Sequence, residues 1–169
     1  MKGYEIERKY LIRMPEPAFL LAHAVPSQIV QTYLQRPAPH INARVRKRGQ
    51  EGAWTYTHTQ KIRLSDLRRI EDEREISREE YESLLQQADP DRNVICKTRW
   101  VLPWQGQQFE IDIFPFWTDR ALMEIELEDE AQAVMLPPQV EILREVTADM
   151  RYTNAALSET IPFEEIKKG

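Results

Sequence analysis

Charged residues recur two apart along this chain, and residues at that spacing share one face of a β-strand. Glu5, Glu7 and Lys9 form one such set; others are Arg44 with Arg46, Glu71 with Glu73, Lys97 with Arg99, Glu110 with Asp112, and Glu124 with Glu126. On the opposite faces stand Ile6, Tyr10 and Ile12, then Ala43 and Val45, Cys96 and Trp100, Phe109 and Ile111, and Met123 and Ile125. A charged face on one strand is by default the solvated side of a sheet. Solvated faces mix Lys, Glu, Thr, Ser and Gln, however, whereas here like charges are doubled on the same strand. Such neighbours repel at close range and cost stability unless an oppositely charged ligand or strand compensates them. Acidic doublets supply hard oxygen ligands suited to Mg²⁺ or Mn²⁺, and basic doublets converge several donors on phosphate oxygens. A polyanion accompanied by divalent cations needs both. If the doublets face one enclosed space, the sheet closes with its charged side inward and its apolar side outward, and such a lumen must hold water, ions or ligand, because an unpaired dry carboxylate costs several kcal/mol.

The elements that carry these residues read as short strands with period-two alternation, divided by turn formers. Strands are expected at 2–12, 29–35, 41–48, 53–62, 68–76, 93–104, 108–115 and 121–128, with hairpin turns at Gln50-Glu51-Gly52 and Gln105-Gly106-Gln107. Ser77 followed by Glu80, Tyr81, Leu84 and Leu85 predicts a capped helix ending near Asp89-Pro90. A short helix is expected at 129–135, ahead of Pro137 and Pro138, and another after Thr147, with Asp149 as cap and Tyr152, Ala156 and Leu157 on one face. The fold class is therefore α+β, mainly antiparallel β: a barrel decorated by a few helices.

Composition bounds the function classes. A chain of 169 residues, 41% of them hydrophobic, is expected to form a single domain spanning 1–169 with a real core. The net charge of −5 argues against a nucleic-acid grip through bulk charge, so any anion must meet a local basic cluster. No stretch has the roughly 18 apolar residues of a membrane-spanning helix. The single cysteine, Cys96, and the charged N-terminal residues lead to an expectation of a reducing cytoplasm. Cys96 is expected to be a small packing residue, and His23, His40 and His58 lack metal-ligand spacing.

Glu5-Ile-Glu7-Arg-Lys9 resembles the N-terminal signature of the CYTH, or triphosphate tunnel metalloenzyme, superfamily. Gln31-Thr-Tyr-Leu, Arg44-Val-Arg46, Thr59-Gln-Lys61, Arg69-Ile-Glu71-Asp-Glu73, Lys97-Thr-Arg99, Glu110-Ile-Asp112, Glu124-Ile-Glu126 and the run from Glu145 to Asn154 follow in the family's order. The resemblance covers residues 5 to about 157. It implies a closed eight-stranded tunnel with a C-terminal plug helix. Lys9, Arg44, Arg46, Lys61, Arg69, Lys97 and Arg99 would hold phosphate oxygens. Glu5, Glu7, Glu124 and Glu126 would be the main metal ligands for Mg²⁺ or Mn²⁺, supported by Glu71, Glu73, Glu110 and Asp112. Catalysis would fall to Glu5, Glu7, Lys9 and Asp112, with Asp112 positioning a water. Two positions depart from the pattern: Met150 stands where many relatives have Lys, with Arg151 as a possible substitute, and 63–67 is not the glycine-rich turn common among them.

The expected activity is hydrolysis of inorganic tripolyphosphate to pyrophosphate and phosphate. Thiamine triphosphate, nucleoside triphosphates and cyclisation of ATP are compatible with the same tunnel, and Trp54, Trp104 or Trp117 could stack an organic group at its mouth. Outside the enzyme class, the rivals are a non-catalytic polyphosphate-binding module and a purely structural charged barrel. Oligomeric state is open.

Overall fold

In the computed structural model, which describes residues 2–166, nine strands form one antiparallel sheet: β1 (Lys2–Arg13), β2 (Val25–Tyr33), β3 (Ile41–Gln50), β4 (Ala53–Arg63), β5 (Arg68–Ile76), β6 (Ile95–Trp104), β7 (Gln107–Ile113), β8 (Arg120–Glu126) and β9 (Ile142–Glu145). The order is β5-β4-β3-β2-β6-β7-β8-β1-β9, and β5 also pairs with β1, so β1–β8 close into a barrel. β1 makes the closure by dividing its length. Lys2–Ile6 pair with β5, Glu7–Arg13 with β8, and the edge that β5 leaves open at Tyr10–Ile12 is taken by β9. All eight expected strands are present; β2 begins four residues earlier than the alternation marks. The four-residue β9 is too short to register as a period-two run.

The hairpin turns follow from local chemistry. Gln105 and Gly106 both have positive φ (52° and 73°), the two-residue turn whose twist matches that of paired strands. Near the end of β3, Gly49 has φ 140°, and a Cβ there would lie 2.2 Å from the Ala53 carbonyl oxygen.

Most of the apolar core lies outside the barrel wall. Ile6, Tyr10, Ile12, Phe109, Ile111, Met123 and Ile125 are covered by α1 (Pro17–His23) through Leu20 and by the segment carrying Leu127 and Val140. On the far side, Ala43 and Val45 are covered by Tyr81 of α2 (Arg78–Leu84), whose cap Ser77 accepts from the Glu80 amide at 3.0 Å. α1 was not legible: it buries Leu20 alone and has no side-chain cap. Residues 129–135 are not helical. Asp129 accepts from the Ala131 amide at 2.8 Å and Gln132 from the Glu128 amide at 2.7 Å, so local side-chain bonds close a turn instead.

At one end the lumen itself turns apolar. Leu11, Ile95 and Leu122 meet Tyr152 and Leu157 of the C-terminal segment, which plugs that end. The plug is shorter than the expected helix: a 3₁₀ turn at Met150–Tyr152, capped by Asp149, then α3 (Asn154–Leu157), capped by Thr153. Residues beyond it strap it down. Trp117 Nε1 donates to the Pro162 carbonyl at 3.1 Å, Arg120 to the Glu164 carbonyl, and the Glu164 carboxylate accepts from Arg144 at 2.8 Å and from the Tyr152 hydroxyl.

Glu164→Ala is expected to lower unfolding stability by about 1–3 kcal/mol, the usual worth of bonds to a charged acceptor, in urea denaturation, while Glu165→Ala next to it stays within about 0.5 kcal/mol of the parent. Equal losses in the two would mean that the strap does not hold the plug.

Candidate functional site

Alternation decides the contents of the lumen. On β1, Glu5, Glu7 and Lys9 point inward because Ile6, Tyr10 and Ile12 are taken up by the outer core. The same parity turns Arg44, Arg46 and Arg48 inward on β3, Thr59 and Lys61 on β4, Arg69, Glu71 and Glu73 on β5, Arg99 on β6, Glu110 on β7, and Glu124 and Glu126 on β8. Together they line a chamber of about 250 Å³, bounded at the plugged end by Met150, Thr153, Asn154 and Ala155. Strand order divides its wall by charge. The neighbouring strands β3, β2 and β6 present Arg44, Arg46, Arg48, Lys97 and Arg99, while β8, β1 and β5 present Glu124, Glu126, Glu5, Glu7, Glu71 and Glu73.

Basic side chains also enter the acidic wall. Lys61 Nζ lies 3.0 Å from Glu5 and 3.4 Å from Glu71; Arg69 lies 3.3 Å from Glu7. Lys9 Nζ sits 3.5 Å from Glu124 and donates to the Tyr152 carbonyl of the plug at 3.2 Å. These cations do not suffice to ionise every carboxylate. Burial and the adjacent Glu124 push Glu7 up to about 8, and burial with a hydrogen bond to Glu5 pushes Glu71 up to about 7. For Glu5 burial acts in the same direction, but Lys61 outweighs it and holds the group at about 2. Each raised carboxyl thus lies beside a lowered one, Glu7 beside Glu124 and Glu71 beside Glu5.

The basic wall is strained in the opposite sense. Burial, reinforced by Arg44 and Arg99, lowers Arg46 to about 9, and its guanidinium turns aside to Gln31 Oε1 at 2.9 and 2.6 Å. Buried Arg44 Nε and Arg69 Nη1 have no hydrogen-bond partner, and neither has Glu124 Oε1. Arg69 Nη1 and Glu124 Oε1 are met only by ion pairs, to Glu7 at 3.3 Å and to Lys9 at 3.5 Å, so donors and an acceptor around one chamber retain hydrogen-bonding capacity for an anion and a cation. The acidic donors are all carboxylate oxygens, the chemistry of hard divalent cations. Among the described residues no group of three or more His, Cys, Asp or Glu forms a ready-made metal cage. Paired carboxylates fit an ion carried in on phosphate oxygens, since Mg²⁺ is commonly held by one or two carboxylates plus the substrate.

Asp112 is bound to two basic residues of the neighbouring strand. It is fully buried, and its oxygens accept from Arg99 Nε at 2.8 Å, Arg99 Nη2 at 2.9 Å and Lys97 Nζ at 2.8 Å. Burial raises its pKa, yet Arg99 and Lys97 outweigh that and bring it to about 2. Lys97 in turn is lowered to about 7 by burial, against the pull of Asp112, and donates to Asn154 Oδ1 of the plug at 3.0 Å. Asp112 stands as the buried counter-ion of two basic residues, its two oxygens taking three hydrogen bonds from them.

Several lining residues were not singled out from sequence. Arg48 continues the row begun by Arg44 and Arg46, a signal present in the alternation. Tyr33 accepts from Gln31 Nε2 at 3.0 Å beside Arg44, and Asn154, expected only to anchor the plug, faces the chamber. Met150 lines the plugged end, and Arg151 does not replace the missing lysine because its guanidinium is bound to Asp149 at 2.7 Å. At 63–67, Arg63 pairs with Asp66 and Ser65 Oγ accepts from the Arg68 amide at 3.1 Å, closing the loop without glycine. Cys96 lies on the outer face as expected, but exposed rather than packed. Trp54 lies outside under Lys47, Trp104 packs on the outer core and Trp117 behind the plug. No helix of the described residues is long and apolar enough to cross a membrane.

A closed antiparallel barrel with a basic wall facing an acidic one defines a class of protein, a polyanion-binding tunnel. No protein-family model matches the chain. The inorganic triphosphatase of Nitrosomonas europaea is 39% identical over 163 residues, covering 94% of this chain and 99% of the relative. The crystal structure of an inorganic triphosphatase superposes with a TM-score of 0.58 at 32% identity, over 94% of this chain and 97% of that one. A Pyrococcus horikoshii protein at 18% identity shares the fold, with a TM-score of 0.54 over 75% of this chain and 80% of that one. The chain belongs to the triphosphate tunnel metalloenzyme, or CYTH, superfamily.

Asp112→Asn is expected to destabilise the fold by about 3–5 kcal/mol in denaturant unfolding, because it strands two buried cations; Glu126→Gln, at an exposed position, should cost under about 0.5 kcal/mol. Equal effects would contradict the counter-ion role.

Proposed function

We propose that this protein hydrolyses inorganic tripolyphosphate to pyrophosphate and phosphate, with Mg²⁺ or Mn²⁺ as cofactor. The observation that carries the reading is the pair of oppositely charged walls around one small chamber whose donors and acceptor retain hydrogen-bonding capacity. A polyanion alone would leave the acidic wall uncompensated, and a cation alone would leave the arginine row. The family assignment and the name of the Nitrosomonas relative point to the same reaction.

Phosphoryl transfer asks little covalent chemistry of a protein; alignment and charge neutralisation supply most of the rate. Arg44, Arg46, Lys9, Lys61 and Arg69 bind phosphate oxygens directly. Lys97 and Arg99, held by Asp112, add fixed positive charge. Glu5, Glu7, Glu124 and Glu126 hold the divalent cation, with Glu71, Glu73 and Glu110 in support. When bound, that ion neutralises charge on the phosphate oxygens. The acidic wall orients a water for in-line attack on a terminal phosphorus; the bridging P–O bond breaks, pyrophosphate leaves, and a wall carboxylate accepts the water's proton. Asp112 acts from behind, fixing the Lys97 and Arg99 side chains.

The inorganic substrate is favoured over thiamine or nucleoside triphosphates by the lining. Tyr33 is the aromatic residue of the chamber, deep inside beside Arg44, and the three tryptophans with the potential to stack a ring lie elsewhere. A non-catalytic polyphosphate binder has no use for the acidic wall. The single free cysteine suits a reducing cytoplasm, where we locate the protein.

The test is phosphate release from tripolyphosphate, ATP, thiamine triphosphate and long-chain polyphosphate with Mg²⁺, Mn²⁺ or Ca²⁺. Tripolyphosphate is expected to be turned over fastest, and only with a divalent cation. Glu7→Gln mimics the protonated carboxyl of the metal-free state, so it should retain the parent's melting temperature while losing more than about 100-fold in turnover, beyond the effect of a single general acid–base group at its weakest. Tight tripolyphosphate binding with no release under any cation would favour the binding module; normal turnover by Glu7→Gln would overturn the catalytic scheme.

A further inference from the structure

The arginine row on β3 is longer than the enclosed chamber. Arg44 lies within it, whereas Arg46 and Arg48 line both the chamber and a wider cavity of about 610 Å³ at the unplugged mouth, Arg48 being the outermost of the row. From Arg44 to Arg48 the strand advances about 14 Å, four residues at the antiparallel rise.

Arg48 is oriented but not neutralised. Its Nε donates to Ser27 Oγ at 2.9 Å, which fixes the guanidinium at the mouth. Its nearest carboxylate oxygen, Glu110 Oε2, is 3.9 Å away, beyond a hydrogen bond, and that same oxygen is held by Arg99 at 2.9 Å. Across the mouth the register sets Thr55 opposite Arg48 and Thr57 opposite Arg46, so hydroxyl donors line the adjoining strand. The rest of the lining includes Val25, Pro26 and Val101, which are apolar, and one carboxylate, Glu73, which accepts from the Thr59 hydroxyl at 2.8 Å; none of the residues lining this cavity is aromatic. A guanidinium fork beside hydroxyls recognises phosphate. A nucleobase or thiamine ring would find no stacking partner.

Resting on the reading that the chamber binds a triphosphate, we propose that Arg48, with Ser27, Thr55 and Thr57, forms an additional phosphate subsite at the open mouth. Its ligand is the next phosphate of a linear polyphosphate longer than three units. The chamber then holds the inner end of the chain while Arg48 reads its continuation, which makes Arg48 a chain-length selectivity residue. The negative charge of a fourth phosphate lands on the outermost guanidinium of the row, whose nearest carboxylate oxygen is 3.9 Å away and is shared with Arg99.

The experiment measures binding of tripolyphosphate and tetrapolyphosphate by calorimetry without divalent cation, to the parent, Arg48→Gln and Arg48→Lys. Arg48→Gln is expected to weaken tetrapolyphosphate about 10-fold, equivalent to about 1.4 kcal/mol, and tripolyphosphate by a clearly smaller factor, since Arg48 also borders the chamber. Arg48→Lys should recover part of the loss, since charge remains but the fork is gone. Equal weakening of both ligands would make Arg48 part of the triphosphate site, and no weakening of either would remove it from the ligand's path; each overturns the subsite. Failure of the parent to bind tripolyphosphate at all would instead overturn the triphosphate reading.

Discussion

Confinement of like charges to one closed space is the constraint on which the rest of this structure depends. A barrel normally fills its interior with apolar side chains and leaves charge outside. Here the interior holds Glu5, Glu7, Glu71 and Glu124 on one wall and Arg44, Arg46, Arg99 and Lys97 on the other. Partial compensation is built in through the Lys61 bridges to Glu5 and Glu71, the Arg69 contact to Glu7 and the Asp112 bridge to Lys97 and Arg99. What is left over appears as raised pKa values of Glu7 and Glu71 on the acidic side and as depressed basicity of Arg46 on the other, the electrostatic load that the proposed ligands would relieve.

Such an interior contributes little hydrophobic stabilisation, so the fold gathers it elsewhere. The outer faces of β1, β7 and β8 carry the largest apolar cluster, closed by α1 and the segment after β8, and α2 covers β3. The plugged end is the one place where the lumen becomes a core, and there Tyr152 and Leu157 are almost wholly buried. The plug also takes part in the site, because its Tyr152 carbonyl and Asn154 side chain accept from Lys9 and Lys97. Anchoring of the C-terminus and orientation of two lumen lysines are thus one structural problem with one solution.

Much of this was legible because a β-strand has a period of two. Glu5 and Glu7, or Arg44 and Arg46, can only share a face, and the apolar residues between them fix which face is inside. The same logic would have included Arg48, had the row been followed one step further. The family resemblance pointed to Asp112 for positioning a water; its partners, Arg99 and Lys97, come from the next strand, and only pairing register brings them within 3 Å. β9 and α1 escaped notice for a different reason, being four and seven residues long, with too few positions for any period to emerge. The stretch 129–135 had helical composition but side chains that bond their own backbone, and the local bonds won. Cys96 was placed on the correct face, yet that part of the outer wall is uncovered.

If mutual compensation by an anion and a cation is the organising interaction, each ligand should bind better when the other is present. Thermal unfolding with tripolyphosphate alone, Ca²⁺ or Mg²⁺ alone, and both together measures this coupling through the shift in melting temperature. The account predicts that the combined shift exceeds the sum of the separate shifts and that the excess disappears in Glu7→Gln. Strictly additive shifts in the parent protein would contradict it.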